Sequence, residues 1–117
     1  MVHYIIVRKD LPLGVIAAQV THAAGESFGK WGLYFASGHI TPGTSLVRGE
    51  PTTAVVLQAD DNAHIKRIRR KLANTKVRFV PIYEPDTPWN GQLMAIGILP
   101  GEKEDLKHHF KGLQLLT

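Results

Sequence analysis

Short apolar blocks alternate along this chain with longer stretches whose apolar residues recur every three to four positions. Val2 to Arg8 is a β-branched-rich run closed by Lys9-Asp10-Leu11-Pro12, and it predicts a buried strand. Gly14 then opens a stretch to about Phe35 in which Val15, Ala18 and His22, and the row Ile16, Val20, Ala23 and Ala24, recur at helical spacing. Its small residues, Ala17, Ala18, Thr21, Ala24 and Gly25, allow close approach to a sheet. Gly25 and Gly29 weaken the second half, so a kink or break is predicted near Gly38. His39 to Pro51, with Pro42, Gly43 and Gly49, has the composition of a mobile surface loop. Thr52 to Ala59 reads as the second strand. Asp60-Asp61-Asn62 offers N-caps to a helix from about Ala63 to Asn74, with Ile65, Ile68 and Leu72 inward and the basic residues pointing outward together. Val77 to Tyr83 is a third strand, Glu84 to Gly91 a turn-rich loop, and Gln92 to Leu99 a fourth strand. Pro100-Gly101 leads to a helix from about Glu102 to Lys111, and Leu113 to Thr117 forms a small edge strand or packed tail.

The order β-α-β-α-β-β-α predicts a three-layer α/β/α domain whose first two crossovers are right-handed and parallel. The third and fourth strands are joined too tightly for a crossover, so they are antiparallel if adjacent, and the four-stranded sheet is mixed.

Composition narrows the class. A length of 117 residues with 44% hydrophobic and 21% charged side chains fits one domain over residues 1–117. Such a chain buries roughly two-thirds of its unfolded surface and holds a core without staples. Cysteine is absent, which excludes disulfides, thiolate ligands and a Cys nucleophile, and a reducing compartment is compatible. The first apolar run has its positive charges after it and no cleavage pattern, so it reads as a strand, not a signal peptide. The uncharged run Leu11 to Gly25 is too short for a membrane span and contains Pro12, Gly14, Gln19 and His22. The expectation is a soluble cytoplasmic protein with no membrane partner.

Charge adds a direction. Fourteen Lys and Arg against ten Asp and Glu give +4, and half of the positive residues fall between Lys66 and Arg78 with no acid among them. Lys66, Arg67, Arg70 and Lys71 would attract a polyanion, RNA or DNA first, although a solvated helix face reads the same way.

In open α/β sheets the reactive crevice lies beyond the carboxyl ends of parallel strands, which here means Arg8 to Gln19. A helix N-terminus with Arg8 and Lys9 before it could hold a phosphate. The Gly-rich phosphate-loop spacings are missing, which argues against a nucleotide triphosphatase or dinucleotide enzyme. Gln19, Thr21 and His22 are polar residues in an apolar helix, either a site or hydrogen-bonded core. Gln19 and His22, three apart, share a face, and Thr21 turns away. The loop after the third strand adds Glu84, Asp86, Thr87 and Asn90, while Trp89 either stacks on a base or covers the core. His108-His109 lacks the spacing of a metal pair, so neither a metal nor another cofactor is expected.

Taken in order, these segments resemble the type II (archaeal and eukaryotic) peptidyl-tRNA hydrolase family. The strand Tyr4 to Leu11 is similar to the family's opening strand, which ends in Arg-x-Asp-Leu. Gly14-Val15-Ile16-Ala17-Ala18-Gln19-Val20-Thr21-His22-Ala23-Ala24 resembles the Gly-Lys-x-Ala-Ala-Gln-x-x-His-Ala signature, and Val55 to Asp60, Val77 to Tyr83 and Ala95-Ile96-Gly97 match further. The resemblance implies a four-stranded mixed sheet with helices on both faces and hydrolysis of the ester joining a peptide to the 3′ end of tRNA. Carried over, Gln19 and His22 shape the site and Glu84 or Asp86 orients the water or accepts its proton. Thr87 supplies a hydroxyl, and Arg8, Lys9 and the Lys66 to Lys71 face hold RNA. A homodimer is suggested by the resemblance alone. Val15 stands where the family has a lysine, and Glu84-Pro85-Asp86-Thr87-Pro88-Trp89-Asn90-Gly91 replaces its Asp-Ala-Gly-x-Thr-Gln loop. A non-catalytic tRNA-binding module that kept the fold and lost that lysine is the alternative.

Overall fold

The computed structural model describes residues 1–36 and 53–117. The predicted break near Gly38 and the loop His39 to Pro51 lie outside the described residues. β1 (Val2–Arg8) is followed by α1 (Leu13–Ala36), β2 (Thr53–Ala59), α2 (Asn62–Ala73), β3 (Phe79–Glu84) and β4 (Gln92–Ile98). The chain closes with a single turn, α3 (Lys103–Leu106), continued by a 3₁₀ turn over Lys107–Phe110.

The sheet order is β2-β1-β4-β3. β1 and β2 run parallel from Val2 opposite Thr53 to Arg8 opposite Ala59, while β4 is antiparallel to both β1 and β3. The mixed sheet expected from the short β3–β4 connection is therefore present. It also has a positional consequence: the ends of β1, β2 and β3 and the start of β4 share one rim, where Arg8, Ala59, Glu84 and Gln92 stand.

All seven residues of β1 are buried, as expected for a strand covered on both faces. One face packs Ile5, Val7, Met94 and Ala95 against Leu11, Ile16 and Ala23 of the α1 side; the other packs Val2, Tyr4, Ile6, Ile96 and Ile98 against Ile65 and Leu72 of α2 and Leu106 and Phe110. The three-layer α/β/α architecture follows. A register shift between β3 and β4 skips Met94, a bulge that lets Met94 and Ala95 face α1 together while Leu93 faces α2.

α1 runs unbroken through Gly25 and Gly29. It lies close on the sheet, because Gly97 stands opposite the Ala23 carbonyl and Ser27 Oγ, where a β-carbon would collide with both. Ser27 donates to the Ala23 carbonyl at 2.6 Å, which uses its only proton, so the 2.7 Å contact with His3 is His3 Nε2–H donating to Ser27 Oγ. α2 starts as expected, with Asp61 accepting from the His64 amide at 2.9 Å.

Two elements differ from expectation. β3 begins at Phe79 because Thr75 Oγ1 accepts from the Val77 amide and prolongs the turn that ends α2. The last helix is one α turn and one 3₁₀ turn: only Leu106 and Phe110 anchor it, and Gly112, at φ +87°, ends it. The tail docks on β2, with the Gln58 amide donating to the Gln114 carbonyl and the Leu116 amide to that of Val56.

Candidate active site and nucleic-acid interface

At the rim, Arg8 is the organising residue. Only 4% exposed, it donates from Nε and Nη2 to the two carboxylate oxygens of Asp10 at 3.0 and 2.8 Å, and from Nη1 to Gln92 Oε1 at 2.8 Å and the Leu93 carbonyl at 3.3 Å. Its guanidinium also lies 5.9 Å from the Trp89 ring centre. Hydrogen bonding from Arg8 holds the Asp10 carboxyl below its ordinary range. Arg8 was anticipated as a phosphate contact; the structure spends its donors inside the protein, joining β1 to the start of β4 and the loop before it. Trp89 correspondingly covers the core on the α1 face. Lys9 remains at the surface, half-exposed and 3.5 Å from Asp60.

The β3–β4 loop is folded on itself. The Trp89 and Asn90 amides both donate to the Asp86 carbonyl, the Gly91 amide donates to that of Glu84, and the Thr87–Pro88 bond is cis. Asn90 and Gly91 take positive φ, 49° and 87°, the second being natural for glycine. The loop leaves Asp86 and Thr87 exposed and turns Glu84 toward α1.

Gln19 meets it there. The Nε2 of Gln19, on α1, donates to Glu84 Oε2 at 3.2 Å, and the Asp86 amide donates to Glu84 Oε1, also at 3.2 Å. Gln19 is 3% exposed, and its Oε1 is buried without a donor among the described residues. Exchanging its amide ends would set oxygen against carboxylate, so the assignment is electrostatically determined. His22, one turn on, is exposed rather than buried beside it, and Thr21 turns away to donate to the Ala17 carbonyl at 2.9 Å. Val15 packs on the α1-side core. Among the described residues no group of three or more His, Asp or Glu side chains converges to hold a metal ion.

The basic face of α2 divides. Consecutive residues step 100° around a helix, so Lys66 to Lys71 cannot all share one direction. Lys66, Arg69 and Arg70 open onto a groove toward β3 and the start of β4, whereas Arg67 and Lys71 line a separate hollow of about 290 Å³ with His64, His109 and Lys111. The expectation that the cations point outward together is corrected to two flanks. Desolvation, with the neighbouring His108 and Lys71, pushes the His109 imidazole below its usual value. Arg69 lies inside the same basic run, and only the fold distinguishes it from its neighbours by setting it on the groove side with its Nε buried.

A small mixed-sheet α/β protein, with a carboxylate held by a buried amide at the strand ends and cations on both flanks of the next helix, is the class that the fold and rim define. The chain belongs to the peptidyl-tRNA hydrolase PTH2 family, whose model matches residues 1–116. No curated protein matches it in sequence. Among the described residues no helix is long and apolar enough to cross a membrane.

Proposed function

We propose that the protein hydrolyses the ester bond of peptidyl-tRNA, or of a related aminoacyl-tRNA ester, and releases free tRNA. The observation that carries this reading is the Gln19–Glu84 hydrogen bond, which joins residues 65 apart in sequence and leaves a buried acceptor, Gln19 Oε1, beside a carboxylate. A water donating a hydrogen to the Glu84 carboxylate, which the Gln19 amide and the Asp86 backbone amide hold in place, has its lone pairs free to face substrate. Its oxygen bonds to the ester carbonyl carbon while Glu84 receives the proton. The tetrahedral intermediate then breaks its bond to the ribose 3′ oxygen, which takes a proton and leaves as tRNA; the peptide keeps the new carboxylate.

Glu84 is the better placed of the two candidate acids. Asp86 serves through its backbone, its amide fixing Glu84 and its carbonyl closing the loop. Gln19 orients Glu84. His22 and Thr87 border the site from the exposed side, and Lys9 with Lys66, Arg67, Arg70 and Lys71 holds tRNA phosphates. Arg8 acts by positioning, through Gln92 and the loop.

The test is release of free tRNA from an N-blocked aminoacyl-tRNA, with EDTA present and His22→Ala alongside. Release by the wild type and a fall of about tenfold in the variant, with tRNA affinity retained, are expected. Val15 in place of the family's lysine favours one competing reading, a tRNA-binding module without catalysis. Salt-dependent tRNA binding with no release would make that reading the correct one.

A further inference from the structure

The groove between α2 and the β3–β4 edge is an open hollow of about 600 Å³, wide enough to receive a nucleotide-sized group. Lys66, Arg69 and Arg70 form one side, Tyr83 the other, and Gly91 and Gln92 its end. No carboxylate lines it, and none of the three cations has an ion-pair partner among the described residues. The Arg69 side chain lines the groove with its Nε–H buried and unpaired among the described residues, which leaves the guanidinium's charge to a phosphate in the groove. Tyr83 is 46% exposed on an edge strand, an aromatic face left open beside those charges. Cations that track phosphate next to an exposed ring are what unpaired nucleotides recognise, because every base has a face to stack and duplex bases do not.

Tyr83 and Glu84 are consecutive on β3 and therefore point to opposite faces of the sheet. Tyr83 is paired with Leu93 on the α2 side, and Glu84 turns to Gln19 on α1. The groove thus lies through the strand from the amide–carboxylate pair.

We propose that this groove binds an unpaired nucleotide near the 3′ end of an RNA, its base stacked on Tyr83 and its phosphate on Arg69, with Lys66 and Arg70 flanking. The strand's end then passes over the rim of β3 and presents its terminal ester to Glu84. This assignment rests on the hydrolase reading for that last step, but the binding itself is separable from it.

Fluorescence anisotropy with a labelled single-stranded hexaribonucleotide, and with a blunt RNA duplex as comparison, tests it without any turnover. Tyr83→Ala should weaken hexamer binding by roughly 5- to 150-fold and leave duplex binding within about twofold, with Tyr83→Phe close to wild type. Arg69→Gln should weaken the hexamer and lower the slope of log K against log salt by about 0.7. Unchanged hexamer affinity in Tyr83→Ala, or an equal loss on the duplex, would overturn the assignment. Tyr83-dependent hexamer binding by a protein that releases no tRNA would support the groove and refute the hydrolase reading. Intact hydrolysis with Tyr83-independent binding would refute the groove alone.

Discussion

A glutamine on the sheet-facing side of a helix costs stability unless both ends of its amide are satisfied. Gln19 satisfies one end through Glu84 and holds the other, Oε1, buried without a protein donor. Replacing it by methionine removes that acceptor at similar volume while Glu84 keeps the Asp86 amide. Gln19→Met is therefore expected to melt at or above the wild-type temperature and to lose at least tenfold in turnover. A parallel loss of stability and activity would make Gln19 a structural residue only. At this scale the sequence revealed residue types but not partners. Gln19 was legible as a polar interruption in an apolar helix, yet Glu84 and Asp86 were equivalent on paper. Only the loop, folded around the Asp86 carbonyl and the positive φ of Asn90 and Gly91, decides which carboxylate turns inward. Arg8 shows the same limit: a strand-end arginine reads as available for a phosphate, and only the fold shows Asp10 and Gln92 taking its donors.

Contacts between elements carry two further consequences. α1 approaches β1 and β4 through Gly97, Ser27 and His3, and burial holds the His3 imidazole below its ordinary value of 6.5. A folded value lower than the unfolded one means the unfolded chain binds more protons in between, so the contribution is complete above about 6.5 and is lost as pH falls from there toward the lowered value. Denaturant melts between pH 7.5 and 5 should show stability falling with pH, less steeply in His3→Gln. His109, lowered chiefly by desolvation, adds the same sign, so the slope is reduced rather than abolished. An identical slope in the variant would contradict the buried-histidine account. On α2 the divided cations give a prediction of their own. Arg67→Ala with Lys71→Ala removes one flank only, which should lower the salt dependence of tRNA binding by about one to two counterions and leave hexamer binding nearly intact. A loss confined to the hexamer would reverse the two flanks.

For the whole molecule, periodicity and connection length carried most of the architecture. The length of the β3–β4 segment implied an antiparallel pair if the two strands were adjacent, as they are, and the apolar run of β1 implied a buried strand. The bulge at Met94 and the single-turn α3 were not legible, since both come from how the last strand and tail fit a sheet already filled by α1 and α2. The candidate site was legible as a neighbourhood, because parallel strand ends and helix starts gather at one rim whatever the side chains. The chemistry proposed for it was not, because that proposal rests on one hydrogen bond between α1 and the end of β3.

That bond is the centre of the account, and the pair of amide substitutions at its loop tests it most directly. Glu84→Gln and Asp86→Asn would be compared with wild type in single-turnover release of tRNA from an N-blocked aminoacyl-tRNA, with tRNA affinity measured on the same preparations. Loss of at least 10²-fold in Glu84→Gln, near-normal release in Asp86→Asn and unchanged affinity in both are the expected results. Undiminished release by Glu84→Gln would contradict the account, since the water would then be activated by some other group.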